Sequence, residues 1–173
     1  MQNDMDIQVI SLCSENVSRA EDLARIMISA WRAGFRGILS EEIIEKYTQF
    51  EPCSEMFRQI LSSGIGTMYL AFTDTRPVGL LYWLPEGETA RIEALLTIPE
   101  AWGAGVAAAL MGRIIQDASA HQTISVWPFA KNQRARRFYE KHGFHATGVS
   151  RLGDTTEVEY LYDCNSCYAT RRR

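Results

Sequence analysis

The chain has 173 residues and a formal net charge of −3, with 46% hydrophobic and 23% charged residues. These values are ordinary for a globular domain, and the negative charge argues against general nucleic-acid binding, which favours a strongly basic surface. The sequence contains no apolar run long enough to span a membrane and no signal-peptide pattern at its start. We therefore expect one cytoplasmic domain over 1–163 and a tail over 164–173, with no membrane partner.

The cysteines do not suggest a metal or redox site. Four are scattered along the chain, and the one close pair, Cys164 and Cys167, lies in the tail. A structural zinc site needs four ligands, and no second pair accompanies this one. A redox dithiol is expected beside a strand-to-helix turn rather than after the last strand. The sequence thus predicts no bound metal, and dispersed cysteines fit a reducing compartment such as the cytoplasm.

The first half of the chain predicts an opening strand, three helical segments and two further strands. Residues 7–12 alternate like a strand, and the helical pattern that follows ends near Trp31. Ser40 precedes two acidic residues and predicts the start of a second helix, which the helix dipole favours. We expect Pro52 to interrupt this helix before a further helical stretch that reaches Leu61. Two strands are predicted next, over 68–72 and 78–84.

The second half of the chain alternates strands with helices. The predicted elements are a strand over 91–98, a helix over 104–119, a strand over 123–127, a helix over 131–142 and strands over 144–150 and 156–162. Antiparallel strands therefore come first and a βαβα stretch follows. This order predicts a mixed α/β fold in which helices flank a mostly antiparallel sheet of about seven strands.

A glycine turn is the first feature that suggests a ligand. Gly103 and Gly105 separate the apolar strand segment from a helical pattern that begins at Val106. This arrangement directs backbone N–H groups and the positive end of a helix dipole at one spot, which suits a phosphate. A tight connection with no ligand is the alternative. A Walker loop and a Rossmann turn are both excluded, because the first needs Gly-Lys-Ser/Thr and the second needs a third glycine.

A basic helix near residue 135 is the second such feature. Asn132 is a plausible N-cap, and Gly143 stands where a left-handed residue would end the helix. Asn132, Ala135 and Tyr139 share one face. Five bases against one acid over 131–141 give a local charge of +4. A basic helix beside a phosphate-binding turn suits a long ligand with several phosphates, and an ordinary solvated helix is the alternative.

Together, and in this order, the two segments resemble the GNAT superfamily of acetyl-CoA-dependent N-acetyltransferases. The family's cofactor motif, Gln/Arg-x-x-Gly-x-Gly/Ala, aligns with residues 102–107. Gly105 and Ala107 match, whereas Trp102 replaces the usual Gln or Arg and removes one expected polar contact to the pyrophosphate. The second motif, Asn-x-x-Ala-x-x-Phe-Tyr-x-x-x-Gly-Phe, is matched at every defined position from residue 132 to residue 144. The resemblance implies the GNAT fold, with the βαβα stretch as its cofactor-binding core.

The resemblance also implies roles in catalysis. Glu93 is a carboxylate in an otherwise apolar strand and matches the family's general base, which acts through water; a surface salt bridge is the alternative. Tyr139 matches the acid that protonates the departing thiolate, and a core aromatic beside Phe138 is the alternative. A backbone N–H near Leu95–Thr97 would stabilise the oxyanion.

Acetyl-CoA is the implied acyl donor, with no metal. In GNAT folds the strands corresponding to 92–98 and 123–127 splay apart, which leaves backbone groups free to pair with the pantetheine arm. The residues expected to contact acetyl-CoA are Leu95, Leu96, Thr97, Trp102, Gly103, Ala104, Gly105, Val106, Ala107, Ala108, Asn132, Ala135, Arg136 and Tyr139.

The acceptor is less clearly indicated. The N-terminal helices and the last hairpin shape the acceptor groove in this family, so we predict that Trp31, Phe35 and Arg36 bind substrate. Residues 1–60 carry ten acids against six bases, which favours a cationic amine. Arg32 and Arg36 instead favour an acceptor that bears a carboxylate, such as an amino acid. Helix-packing aromatics with a solvated acidic surface are the alternative. We predict a small primary amine.

The sequence therefore predicts a cytoplasmic N-acetyltransferase that moves an acetyl group to a primary amine by direct attack in a ternary complex. One alternative is a non-catalytic acyl-CoA-binding sensor or regulatory domain. Trp102, which replaces the usual polar residue, is the main reason to retain this alternative. Another is a protein or peptide N-acetyltransferase. Glu93 and Tyr139 favour catalysis, because a mere binder needs neither. An exposed final strand would allow pairing across a homodimer.

Overall fold

The chain folds around one mixed sheet. The computed structural model describes residues 6–165, and this range contains seven strands and five α-helices. The strands are β1 (Ile7–Leu12), β2 (Thr67–Thr73), β3 (Arg76–Glu86), β4 (Thr89–Thr97), β5 (Thr123–Val126), β6 (His145–Leu152) and β7 (Thr156–Asp163). The helices are α1 (Ala20–Gly34), α2 (Glu41–Tyr47), α3 (Phe50–Ser63), α4 (Val106–Asp117) and α5 (Gln133–Lys141), with 3-10 turns at Ser14–Arg19 and Pro99–Ala101.

The strand order is β1-β2-β3-β4-β5-β7-β6. β4 and β5 pair in parallel, joined by the crossover through α4, and every other neighbouring pair is antiparallel. The predicted fold class, a mostly antiparallel sheet with a βαβα stretch, is therefore confirmed. The final strand does not lie at the edge as predicted, because β7 pairs with both β5 and β6. β6 is the exposed edge on that side of the sheet.

Helices cover both faces of the sheet. On one face, Tyr69 donates a hydrogen bond of 2.7 Å to Asp117 of α4, and a Cβ added at Gly79 would lie 2.9 Å from the Val106 side chain. On the other face, the Phe72 ring lies 5.4 Å from the guanidinium of Arg19, which precedes α1. Strands β2 and β3 are buried on both faces as a result. This double burial explains why their sequences are apolar runs rather than alternating patterns.

The helix boundaries follow local capping chemistry, with one correction. Ser40 caps α2, since its hydroxyl accepts a hydrogen bond of 3.3 Å from the Ile43 N–H. Pro52 was expected to interrupt the helical segment, but it lies in the first turn of α3, which begins at Phe50. Proline is tolerated there because the N–H groups of a first helical turn have no intrahelical acceptor.

The sheet opens between β4 and β5. Their pairing covers only Thr89–Ile92 on β4 and ends at Val126 on β5, whereas β4 continues to Thr97. The register between β3 and β4 also shifts at this point, so that Glu93 has no cross-strand partner and forms a β-bulge. Bulges bend a strand and redirect its side chains. The divergence and the bulge together create the cleft described below.

The C-terminal segment is described only in part. Cys164 is buried, and its sulfur lies 3.9 Å from the Ala118 carbonyl oxygen. Cys167 lies outside the described residues, as does most of the predicted tail over 164–173. Among residues 6–165, no helix is both long enough and apolar enough to cross a membrane.

Candidate active site

A cleft of about 1260 Å³ lies where β4 and β5 diverge. A pocket for one drug-sized ligand usually measures about 300–1,000 Å³, so this cleft has room for a long ligand and a second small molecule. Its lining residues come from the first turn of α4, from α5, from α1 and α3, and from the turn between β6 and β7.

The glycine turn has the geometry of an anion site. Gly103 and Gly105 have φ values of 78° and 88°, which side chains rarely adopt, and a Cβ added at Gly103 would meet no atom within 4 Å. Helix α4 has no side-chain cap, and no carbonyl of the described residues outside the helix accepts a hydrogen bond from the N–H groups of Val106–Ala108. These groups face open space at the positive end of the helix dipole, where an anion is stabilised.

Most of the predicted turn residues line the cleft. Trp102, Gly103, Gly105, Val106, Ala107 and Ala108 all do so. Ala104 does not line the cleft, because it belongs to the tight turn that precedes the helix. Its N–H donates to the Ala101 carbonyl at 3.2 Å.

Trp102 pairs with an arginine from another element. Its indole N–H donates to the Thr97 carbonyl oxygen at 3.2 Å, and the guanidinium of Arg134 lies 3.6 Å from its ring centroid. Partial burial lowers the pKa of Arg134. Arginine is effectively always protonated in proteins, so the group stays charged at neutral pH. Arg134 makes no ion pair with any described residue. An unpaired cation is thus held over the entrance to the glycine turn.

Helix α5 presents the predicted face to the cleft, with one exception. Asn132, Ala135 and Tyr139 line the cleft, and the Asn132 side-chain oxygen also caps the helix by accepting from the Ala135 N–H at 3.1 Å. Arg136 does not line the cleft. Its Nε donates to the Tyr160 hydroxyl at 3.0 Å and its Nη1 donates to the Ala130 carbonyl at 3.1 Å, so it fastens α5 to β7.

Tyr139 is both a core aromatic and a cleft residue. It is only 6% exposed and packs against Phe138 and Phe144, with ring centroids 5.5 Å away in each case. Its hydroxyl makes no hydrogen bond to any of the residues 6–165. Burial raises the pKa of Tyr139 above its usual value, because the phenolate is poorly solvated there. The phenol therefore remains protonated and available as a donor at neutral pH.

Glu93 lies on the bulge at the opposite wall of the divergence. It lines the cleft with its side chain 33% exposed, and it forms an ion pair of 2.9 Å with Arg91 Nη1. Arg91 also lies 3.2 Å from Glu86, so its charge is shared between two carboxylates. Both interpretations of Glu93 from the sequence thus describe its position: it forms a salt bridge, and it faces the cleft.

The central strand supplies backbone groups. Leu95, Leu96 and Thr97 line the cleft, and beyond Ile92 the edge of β4 that faces β5 has no strand partner among the described residues. The Thr97 carbonyl is occupied by Trp102. The remaining backbone groups of this edge are available to a bound molecule.

The predicted acceptor residues divide between two places. Trp31 and Phe35 line the cleft and contact each other edge to face, with ring centroids 5.1 Å apart. Arg36 does not line the cleft. It lines a neighbouring groove together with Arg25 and Arg32, and Trp102 lines both.

Two kinds of cleft residue were not predicted as site residues. Arg134 has a sequence signal, since it lies inside the second motif directly before Ala135. Asp154 lies in the last hairpin, which the resemblance placed at the acceptor groove, although no motif identified this residue. Phe129 has no sequence signal, because only the tertiary fold brings the segment after β5 to the cleft.

Known proteins resemble this chain in sequence and in fold. A family model described as the acetyltransferase (GNAT) family matches residues 26–144. The chain belongs to the GNAT family. An uncharacterized N-acetyltransferase of Mycobacterium tuberculosis strain H37Rv is 30% identical over 148 residues, which cover 82% of this chain and 94% of the relative. The predicted family and enzyme class are therefore confirmed, and this GNAT protein is an acyltransferase.

Solved structures of GNAT proteins have the same fold. PaiA N-acetyltransferase from Thermoplasma acidophilum, solved in complex with coenzyme A, matches with a TM-score of 0.79 at 19% identity, covering 92% of this chain and 99% of that chain. An acetyltransferase from Thermus thermophilus matches with a TM-score of 0.71 at 19% identity, covering 91% and 96%. At these identities the similarity shows the fold alone.

Proposed function

We propose that this GNAT protein transfers an acetyl group from acetyl-CoA to a small primary amine, by direct attack within a ternary complex. The observation that carries the proposal is the position of Glu93 and Tyr139. They come from distant parts of the chain, yet both line one cleft that also contains the glycine turn. A binding domain would need the glycine turn, but it would need neither a carboxylate nor a buried phenol in that cleft.

The residues present fit acetyl-CoA. The open N–H groups at the start of α4 and the cation of Arg134 suit its phosphates, and the unpaired edge of β4 suits its amide-containing arm. Arg134 would supply the charge that Trp102 lacks, since the indole holds the guanidinium beside the turn. The complex of PaiA with coenzyme A supports this assignment. When bound, acetyl-CoA provides an activated acyl group on a sulfur leaving group.

Glu93 would accept the first proton. A free primary amine has a pKa near ~10 and is mostly protonated at neutral pH, so it must lose a proton before it attacks. Glu93 faces the cleft from the bulge, and Arg91 holds its carboxylate in position. A water molecule between this carboxylate and the amine would carry the proton, since a general base can act through one water.

Tyr139 would assist the departing sulfur. The amine nitrogen forms the new C–N bond, the C–S bond breaks, and the thiolate takes one proton while a net proton leaves to solvent. Because burial raises the pKa of Tyr139, the phenol is a weak acid and acts best as a hydrogen-bond donor to the developing thiolate. Free backbone N–H groups of Leu95–Thr97 would stabilise the oxyanion.

Release of free thiol from acetyl-CoA tests the proposal, using a panel of primary amines with calorimetry of CoA binding in parallel. We expect saturable release with at least one small amine. Binding of CoA without release with any amine would favour a sensor. Release only with peptides or protein lysines would replace the small-molecule acceptor by a protein one. Absence of CoA binding would contradict the assignment of the cleft.

A further inference from the structure

The sequence left two kinds of acceptor open, and the position of the α1 arginines separates them. Arg32 donates to the Thr48 hydroxyl at 3.0 Å and to the Thr48 carbonyl at 3.2 Å, and lies 3.6 Å from Glu45. Arg32 and Arg36 both line the neighbouring groove rather than the cleft. Because neither side chain lines the cleft, neither is placed against an acceptor inside it, and these arginines no longer favour an amino-acid acceptor.

The part of the cleft that α1, α3 and the turn between β6 and β7 form is called the acceptor end here, and aromatic rings line it. Trp31 contacts Phe35, and Phe35 contacts Phe129 edge to face with centroids 4.9 Å apart. These contacts connect the end of α1 to the segment that follows β5, across the opening of the sheet. Met56 and Ile60 of α3 extend the same apolar wall. A ring placed among these side chains would gain both burial and edge-to-face contact.

Few charges in this end of the cleft remain for the acceptor. Glu93 is paired with Arg91, and Glu157 is paired with Arg151, whose guanidinium also lies 4.4 Å from the Trp127 ring centroid. Among the described carboxylates of the cleft, Asp154 alone has no ion pair. The described lysine and arginine side chains of the cleft that lack an ion pair are Arg134 and Lys141, and both lie on α5. Asp154 can pair with one further ammonium group, but a molecule with three or more would bury charges without partners, which is costly.

We infer that the acceptor is an arylalkylamine: a single primary amine on a short chain that carries an aromatic ring. The ring packs against Trp31, Phe35 and Phe129, and the amine reaches Glu93. The inference rests on the proposed acetyl transfer and narrows its substrate class. Polyamines, aminoglycosides and amino acids are the classes it excludes.

Matched amines test this preference, with steady-state thiol release as the measurement. Phenethylamine is compared with butylamine, which lacks the ring, with 4-(2-aminoethyl)benzoate, which adds a carboxylate to the ring, and with spermidine, which adds ammonium groups. We expect kcat/KM for phenethylamine to exceed each of the others by at least about tenfold, the usual scale of discrimination by an apolar pocket.

A variant shows whether the aromatic wall causes the preference. In Phe35→Ala the ratio of kcat/KM for phenethylamine to that for butylamine should fall about tenfold, while the Kd for CoA stays unchanged. Phe35→Leu keeps most of the volume and serves if the alanine variant does not fold. Phe50→Ala is the matched control, because Phe50 lies outside the cleft, under Arg25. It should keep the parent ratio.

The outcomes separate this inference from the proposed function. If spermidine or the benzoate is acetylated as efficiently as phenethylamine, the inference is wrong and acetyl transfer stands. An unchanged ratio in both Phe35 variants would also overturn it. If no amine gives thiol release although CoA binds, the proposed function itself fails, and the inference fails with it.

Discussion

Replacement of Tyr139 by phenylalanine removes one oxygen atom from the cleft and changes little else. The hydroxyl has no hydrogen-bond partner among residues 6–165, so its loss leaves no buried group unsatisfied. The ring keeps its contacts with Phe138 and Phe144. Since the hydroxyl faces the cleft and makes no hydrogen bond within residues 6–165, its loss removes no interaction of the fold, and the variant should be about as stable as the parent.

The effect on turnover should be much larger. A positioned acid contributes about 10²–10⁴-fold to the rate. We expect the lower end for Tyr139, because its raised pKa makes complete proton transfer unfavourable and leaves mainly a hydrogen bond to the leaving sulfur. A loss of about 10²-fold in kcat corresponds to about 2.7 kcal/mol of transition-state stabilisation. KM and the affinity for CoA should barely change, because the interaction develops only as the C–S bond breaks.

The assay combines thiol-release kinetics, calorimetric titration with CoA and thermal unfolding. Tyr47→Phe is the matched control, since it deletes the hydroxyl of a partly exposed ring outside the cleft. Parent-like kcat in Tyr139→Phe would refute the acid role. A parallel fall in the unfolding temperature would show that the residue is structural. A defect confined to CoA affinity would make Tyr139 a binding residue only.

Three other predictions concern the base, the phosphate end and the turn. Glu93→Gln should lower kcat/KM about 10²-fold near neutral pH. In a pH–rate profile, the difference in kcat/KM from the parent should become smaller towards pH ~9.5 as free amine accumulates, and a difference that stays constant would contradict the base role. Arg134→Ala should weaken CoA binding about tenfold by calorimetry, whereas Arg137→Ala on the same helix should not. Gly105→Ala should destabilise the fold by about 1–2 kcal/mol and weaken CoA binding, because φ is positive at this residue. Gly112→Ala, in the interior of α4, should instead raise the stability of the fold, and thermal unfolding measures both variants.

The fold was predictable because its elements carry strong local signals. The helical spacing that begins at Val106 and the cap at Ser40 both appear in the structure, and so does the order of strands and helices. The prediction at Pro52 was wrong because a proline within a helical pattern predicts the end of a helix, unless it is known that the helix begins at that point. The edge position of β6 could not be predicted, since strand order depends on tertiary pairing and not on any local pattern.

The candidate site was predictable only as far as its motifs extend. Sequence motifs identified the glycine turn and the helix around Tyr139, and both line the cleft. The same motif also suggested Arg136, whereas the structure turns Arg136 to β7 and places Arg134 against Trp102. Two bases separated by one residue on a helix point in different directions, and the sequence alone does not show which one faces the ligand.

A β-bulge on β4 places the proposed base at the point where the sheet opens. Pairing between β4 and β5 ends at Ile92, and the bulge at Glu93 follows immediately. β5 also ends at this point, at Val126, and the edge of β4 over Leu95–Thr97 is left open. A bulge redirects side chains, and the Glu93 carboxylate lies at the start of the gap. Glu93, the open strand edge and the glycine turn therefore follow one another along one segment, in the order that the proposed amine, the acyl-bearing arm and the phosphates of the donor require.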